Sequence, residues 1–210
     1  MSYPPDIHAD SRCRLPLPVR DELDPATRPQ FDLLADPGGG SIAGLQGPSA
    51  IHLRSARVSE LLWALNRYLR FETGFGQRLC EIAILAVARE CDSQFEWTNH
   101  EPVALREGVA PELIELIRDR GATTSLGERD AIVVELAREA FGERRVAPAT
   151  YARALAGFGP KGLVDLIALM GHYAATAAML AVFDMQLRPG QSPLLPITSC
   201  RTLEKGKEMP

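Results

Sequence analysis

Glu96 and His100 stand four residues apart in the stretch EWTNH, which puts both on one side of a helix. Ser93, three residues before Glu96, continues the same polar stripe. A carboxyl one turn from an imidazole is a proton-transfer pair. The imidazole titrates at about pH 6.5, and the carboxyl orients it, or donates a proton when its own pKa is raised. The same spacing also describes an ordinary helix-surface contact worth about 0.2–0.5 kcal/mol. Glu81 makes the stripe less ordinary, being the one charged residue between Leu79 and Ala88. A helix apolar all round is buried, and a buried carboxylate needs a partner or holds a proton. Arg78 and Arg89, three and eight residues away, are candidate partners, as is a neighbouring helix. Arg78 could instead hold a substrate carboxylate.

Other residues extend the candidate site. Trp97 sits about 100° round the helix from Glu96, where it walls a pocket or packs in the core. His172 is a titratable group in an apolar stretch, either a core histidine or a pocket-lining one. Glu96 and His100, with Glu81 or His172, are ligand types that suit zinc or iron. No second histidine sits at ligand spacing in the same helix, so no metal and no cofactor is expected.

These residues need helices to position them. VSELLWALNRYLRFE carries Leu61, Leu62, Leu65, Tyr68 and Leu69 at helical spacing. GQRLCEIAILAVAREC and SQFEWTNHEPVALREG read as two successive helices, the second stopped by Gly108 and containing Pro102, where a kink or new turn is expected. APELIELIRDRG begins with Pro111 in the first turn. Ser125 with Glu128 reads as a capping box opening the next helix. APATYARALAGFG gives a short helix, and the stretch from Pro160 to Met185 a long apolar one. No segment alternates with period two, so the fold class is all-α. Residues 51–190 form the helical domain, 191–210 a tail, and 1–50 an arm. The arm holds eight of the sixteen prolines and the run Gly38-Gly39-Gly40. In it Asp24 is placed to cap a short helix that starts at Pro25. Its apolar residues, among them Leu15, Leu17 and Phe31, predict packing on the body or a neighbour.

Composition narrows the class. The chain has 210 residues, 46% of them hydrophobic, and a formal charge of −4. The 23 basic residues are scattered among 27 acidic ones, which argues against a nucleic-acid partner. Cys13, Cys80, Cys91 and Cys200 form no Cys-x-x-Cys, and the first residues show no leader pattern. Free thiols and a cytoplasmic location are the expectation. The apolar run Leu166–Phe183 approaches a membrane span in length. His172, Thr176 and the preceding Asp165 favour a buried central helix, with no membrane partner.

The stretch RLCEIAILAVARECDSQFEWTNHEPVALREGV, residues 78–109, resembles the core motif of the carboxymuconolactone decarboxylase-like family, also called alkylhydroperoxidase D-like. The motif is an Arg-x-x-Glu opening an apolar helix, then Glu-Trp-x-x-His, then Ala-x-x-x-Gly. It is carried here by Arg78 and Glu81, Glu96-Trp97 and His100, and Ala104 and Gly108. The stretch GLVDLIALMGHYAATAAMLAVFDMQL is similar to the family's closing helix, and residues 12–190 are covered in all. The family's peroxidase branch carries Cys-x-x-Cys-x-x-x-His. Ser93 and Glu96 stand at the two sulfur positions, so the thiols that would cycle through a disulfide are absent. The resemblance implies the helical bundle of that family with an extended arm, assembled as a trimer or hexamer. It implies a cofactor-free lyase, a decarboxylase of a small unsaturated acid or lactone. Glu81, Glu96 and His100 are the expected catalytic residues. Arg78, Ser93, Trp97 and His172 are the expected contacts to a small-molecule substrate. One departure is that Met179–Phe183 lacks the asparagine found near the end of that helix in relatives. A related isomerase or hydrolase, or a non-catalytic ligand-binding oligomer, is the alternative.

Overall fold

A computed structural model describes residues 3–39 and 41–196. Gly40 and Cys200 lie outside them, as does most of the C-terminal tail. The described residues form eight α-helices and no strand: α1 (Arg28–Ala35), α2 (Pro48–His52), α3 (Ala56–Phe71), α4 (Gln77–Glu90), α5 (Gln94–Arg106), α6 (Pro111–Arg118), α7 (Glu128–Ala137) and α8 (Pro148–Val182). The chain is all-α.

The core is built around α4. Every residue from Leu79 to Arg89 is buried, and the helix packs on α5, α6, α7 and α8. Ile82, Ile84, Leu85 and Val87 are fully buried, each contributing about 1.5–3 kcal/mol relative to exposure. Gly76, at φ 79° and ψ 151°, turns the chain into α4, a backbone region open to glycine alone. The turn from α4 to α5 is tight: Ser93 N–H bonds the Ala88 carbonyl at 2.8 Å, and Asp92 takes a positive φ of 50°. This hairpin lays α5 along α4 and sets His100 beside Glu81.

Pro102 lies inside α5 without ending it; Gly108, at φ 82°, stops the chain just beyond. Ser125 does not cap α7. It ends a 3-10 turn, Thr123–Ser125, and Gly127 occupies the N-cap with no side-chain bond. The capping box fails because Leu126 and Gly127 are extended, which takes the Ser125 hydroxyl away from the first turn. The closing helix is two segments: Gly159 takes φ 66° and ψ 173°, and Pro160 starts the second. α8 is long and apolar enough to cross a membrane by length and composition, and half of its most apolar stretch is buried against the rest of the protein.

The arm lies against this body. Asp24 accepts a bond from Ala26 N–H at 2.8 Å and caps the turn Pro25–Thr27, which runs into α1. Leu23, Leu34 and Leu53 form a second small core with Phe31, Leu45 and Trp63. The arm also clasps the chain after α8: Arg14 N–H bonds the Phe183 carbonyl, and Gln186 N–H bonds the Arg12 carbonyl, each at 2.8 Å.

Candidate active site

Glu81, Glu96 and His100 converge. Glu81 projects from α4 and has no exposed surface. One of its oxygens, Oε2, lies 2.7 Å from His100 Nδ1, and Oε1 accepts from Arg70 Nη2, also at 2.7 Å. The partner of Glu81 is therefore Arg70 of α3, not Arg78. A carboxylate accepting from Nδ1 fixes the ring and turns Nε2 toward the open side. There Nε2 faces Glu96 Oε2 at 3.5 Å, longer than a good hydrogen bond, as catalytic pairs often are before substrate arrives. Burial raises the Glu96 pKa against the lowering pull of His100 and Arg70. Glu96 is thus held toward its protonated form beside an oriented imidazole.

A cavity of about 430 Å³ opens on this pair, within the about 300–1,000 Å³ typical of small-molecule sites. Glu96, Asn99 and His100 of α5 line it together with Asn66, Arg67 and Arg70 of α3 and His172, Tyr173 and Thr176 of α8. Phe71, Phe95, Leu62 and Trp63 make apolar wall. Gly39, Ser41–Ala43, Pro48 and Ser49 of the arm close the remaining side with His52. The Tyr173 ring lies edge-on to His100, with centroids 5.2 Å apart, and burial pushes its phenol up.

Three residues expected at the site are elsewhere. Arg78 reaches away, bonding Asp130 of α7 through both terminal nitrogens at 2.9 and 2.7 Å and the Gly108 carbonyl at 3.3 Å. It lies in the first turn of α4, where a half-exposed guanidinium finds a two-pronged carboxylate partner. Trp97 is a core residue with no exposed surface; its Nε1 donates to Glu101 at 2.7 Å, and Arg118 lies over its ring. Ser93 serves as the N-cap of α5 without a side-chain bond, and its backbone ties the α4–α5 turn. None of the three lines the cavity. Arg70, Tyr173, Asn66 and His52 do belong to it or its support, and no short-range spacing ties them to Glu96 and His100. The helical register of α3 offered one signal, since Arg70 adjoins the fully buried Leu69.

Burial pushes the Cys80 thiol up to about 11, which suits a core residue rather than a nucleophile. Among the described residues no group of three or more His, Cys, Asp or Glu side chains is arranged to hold a metal ion. A scan against protein-family models finds no match to this chain. A search of curated proteins likewise finds no significant match.

Proposed function

We propose that the protein is a cytoplasmic, cofactor-free carboxy-lyase that decarboxylates a small unsaturated acid or lactone by acid/base catalysis. The observation that carries this reading is the buried Glu96 carboxyl facing the Nε2 of His100, whose ring Glu81 and Arg70 fix from behind. In the reaction the bond from carbon to the departing carboxylate breaks, and its electron pair moves into a conjugated carbonyl. Carbon dioxide leaves, and the resulting enolate must take up one proton at carbon. Glu96, whose pKa burial raises, supplies it; His100 then returns a proton to Glu96 from solvent. The resemblance to the decarboxylase-like family, in its branch without paired thiols, supports the same assignment.

The test is turnover of a panel of lactones and of unsaturated and keto acids, read as carbon dioxide release. We expect release from at least one member at a rate far above the uncatalysed one. Turnover without carbon dioxide would assign a related isomerase or hydrolase instead. No turnover, with thermal stabilisation by a panel member, would leave a ligand-binding protein.

A homo-oligomer, trimer or hexamer, belongs to the proposal. Val58, Leu61 and Leu65 are exposed on one side of α3, and Val164 and Val182 on α8. Apolar side chains spaced three and four apart and left to water suit an interface. Sedimentation at micromolar concentration should give a trimer or larger, and Leu61→Glu should weaken it; a monomeric wild type would refute the assembly.

A further inference from the structure

Decarboxylation sends an electron pair onto a conjugated carbonyl, and the oxygen that receives it needs a hydrogen-bond donor. Glu96 delivers its proton to carbon and does not meet that need. Several donors in the cavity wall are already committed. Asn99 Nδ2 of α5 donates to the Phe95 carbonyl at 2.7 Å. Thr176 Oγ1 of α8 donates to the His172 carbonyl at 3.0 Å. Arg70 Nη2 of α3 donates to Glu81 at 2.7 Å, and that carboxylate offsets its charge.

Tyr173 differs from these. Its ring lines the cavity and meets the rings of two histidines edge-on, His100 at 5.2 Å and His172 at 5.4 Å between centroids. Among the described residues no protein acceptor takes the phenol hydrogen; the polar partner of the hydroxyl is the Asn66 amide. That bond lowers the phenol pKa, which only a bond donated to the oxygen does. Asn66 Nδ2 carries two hydrogens and also stands 3.0 Å from His172 Nε2. Asn66 therefore holds the phenol oxygen and leaves its O–H free to donate. Burial keeps the phenol protonated against the pull of Arg70 and Asn66. A neutral donor in a water-poor site favours charge that appears only as the bond breaks, without attracting a charged ground state. The reacting carbon and its conjugated oxygen are a few bonds apart, so acid and oxyanion donor must be neighbours. The contact of Tyr173 with His100 meets that requirement.

We propose that Tyr173 is a further catalytic residue, donating its O–H to the enolate oxygen formed as carbon dioxide leaves. This rests on the lyase reading of the cavity. The bond from carbon to the departing carboxylate breaks, and its electron pair moves through the conjugated system to the carbonyl oxygen. The phenol keeps its hydrogen and shares it with that oxygen. When Glu96 gives its proton to carbon, the pair returns, the carbonyl reforms and the bond to Tyr173 weakens.

Tyr173→Phe keeps the ring and removes only the hydroxyl. It should lower kcat for carbon dioxide release by about 10²–10³-fold, the worth of one oxyanion donor, with KM within threefold of wild type. Its melting temperature should not change, because the hydroxyl donates to no protein group. Calorimetry gives a readout that needs no turnover. 4-Nitrophenolate carries its charge on an oxygen conjugated to a ring, as an enolate carries it on a conjugated oxygen, and 4-nitroanisole is the uncharged match. The wild type should bind 4-nitrophenolate at least tenfold tighter than 4-nitroanisole. Tyr173→Phe should lose that preference and keep its affinity for 4-nitroanisole. Wild-type kcat in Tyr173→Phe would overturn the assignment, as would a preference that is absent from the wild type or survives the substitution. An equal loss of affinity for both ligands would mark a structural role and overturn it too. A Tyr173-dependent preference with no turnover of any acid would sink the lyase reading and leave Tyr173 as a donor to an anionic oxygen.

Discussion

Glu96→Gln or His100→Ala lowers carbon dioxide release by about 10²–10⁴-fold, the usual worth of a positioned acid or base, with the helical fold unchanged. The stability of Glu96→Gln tells a catalytic carboxyl from a structural one. Burial raises the Glu96 pKa, so the folded protein binds that proton more tightly than the unfolded chain does. The stability this group contributes is complete at pH below its unfolded value and is lost as pH rises through the folded one. Gln carries no such dependence. Melting curves of wild type and variant should therefore lie close together in acid and separate above the carboxylate range, with the variant the more stable at pH 8. A purely structural network predicts the reverse: Glu96→Gln melts well below wild type at every pH. Wild-type turnover in both variants would remove Glu96 and His100 from the mechanism.

Arg70→Leu costs about 3–5 kcal/mol of folding stability, the range for breaking a buried ion pair from one side. Glu81 has no contact with water, and Arg70 and His100 are its two hydrogen-bond partners. Losing the guanidinium leaves a buried carboxylate held by an imidazole alone. That group must then take a proton or draw one onto His100, so activity falls with stability. Arg70→Leu combined with Glu81→Leu removes both charges and should recover much of the stability but none of the activity. Chemical denaturation of the two single variants and the double variant measures the coupling. A loss below about 1 kcal/mol, the level of exposed pairs, would mean that Glu81 finds other support.

The sequence carried the three residues that meet at the site because their placement is local. Glu96 and His100 share a helix, and Glu81 is marked by the apolar run around it. Its counter-ion was less legible. Arg78 sits three residues before Glu81 and matches the expected pattern, yet Asp130 on α7 claims it. Arg70 lies on α3, and only the packing of α3 against α4 and α8 brings it to Glu81. Trp97 could be read either way from its angle on α5; the Glu101–Arg118 pair waiting in the core decided it. The helices themselves were plain from apolar spacing, and the two-part closing helix from Gly159-Pro160. The Ser125 cap was not, since whether Leu126 and Gly127 stay extended depends on tertiary context. His52 ends the five-residue α2, too short for apolar spacing to show what it faces.

The division of labour in the cavity wall has an evolutionary consequence. The proposed proton transfer is assigned to side chains of α4 and α5 that are buried in the core, while much of the facing wall is spelled by Gly39, Ser41–Ala43 and α2. That segment ends with α2, and the bonds that hold Glu81 come from Arg70 of α3 and His100 of α5. Changes there can reshape which molecule is admitted without touching the groups that move the proton. Under the proposed function, substrate preference is free to drift at that segment while the chemistry stays fixed.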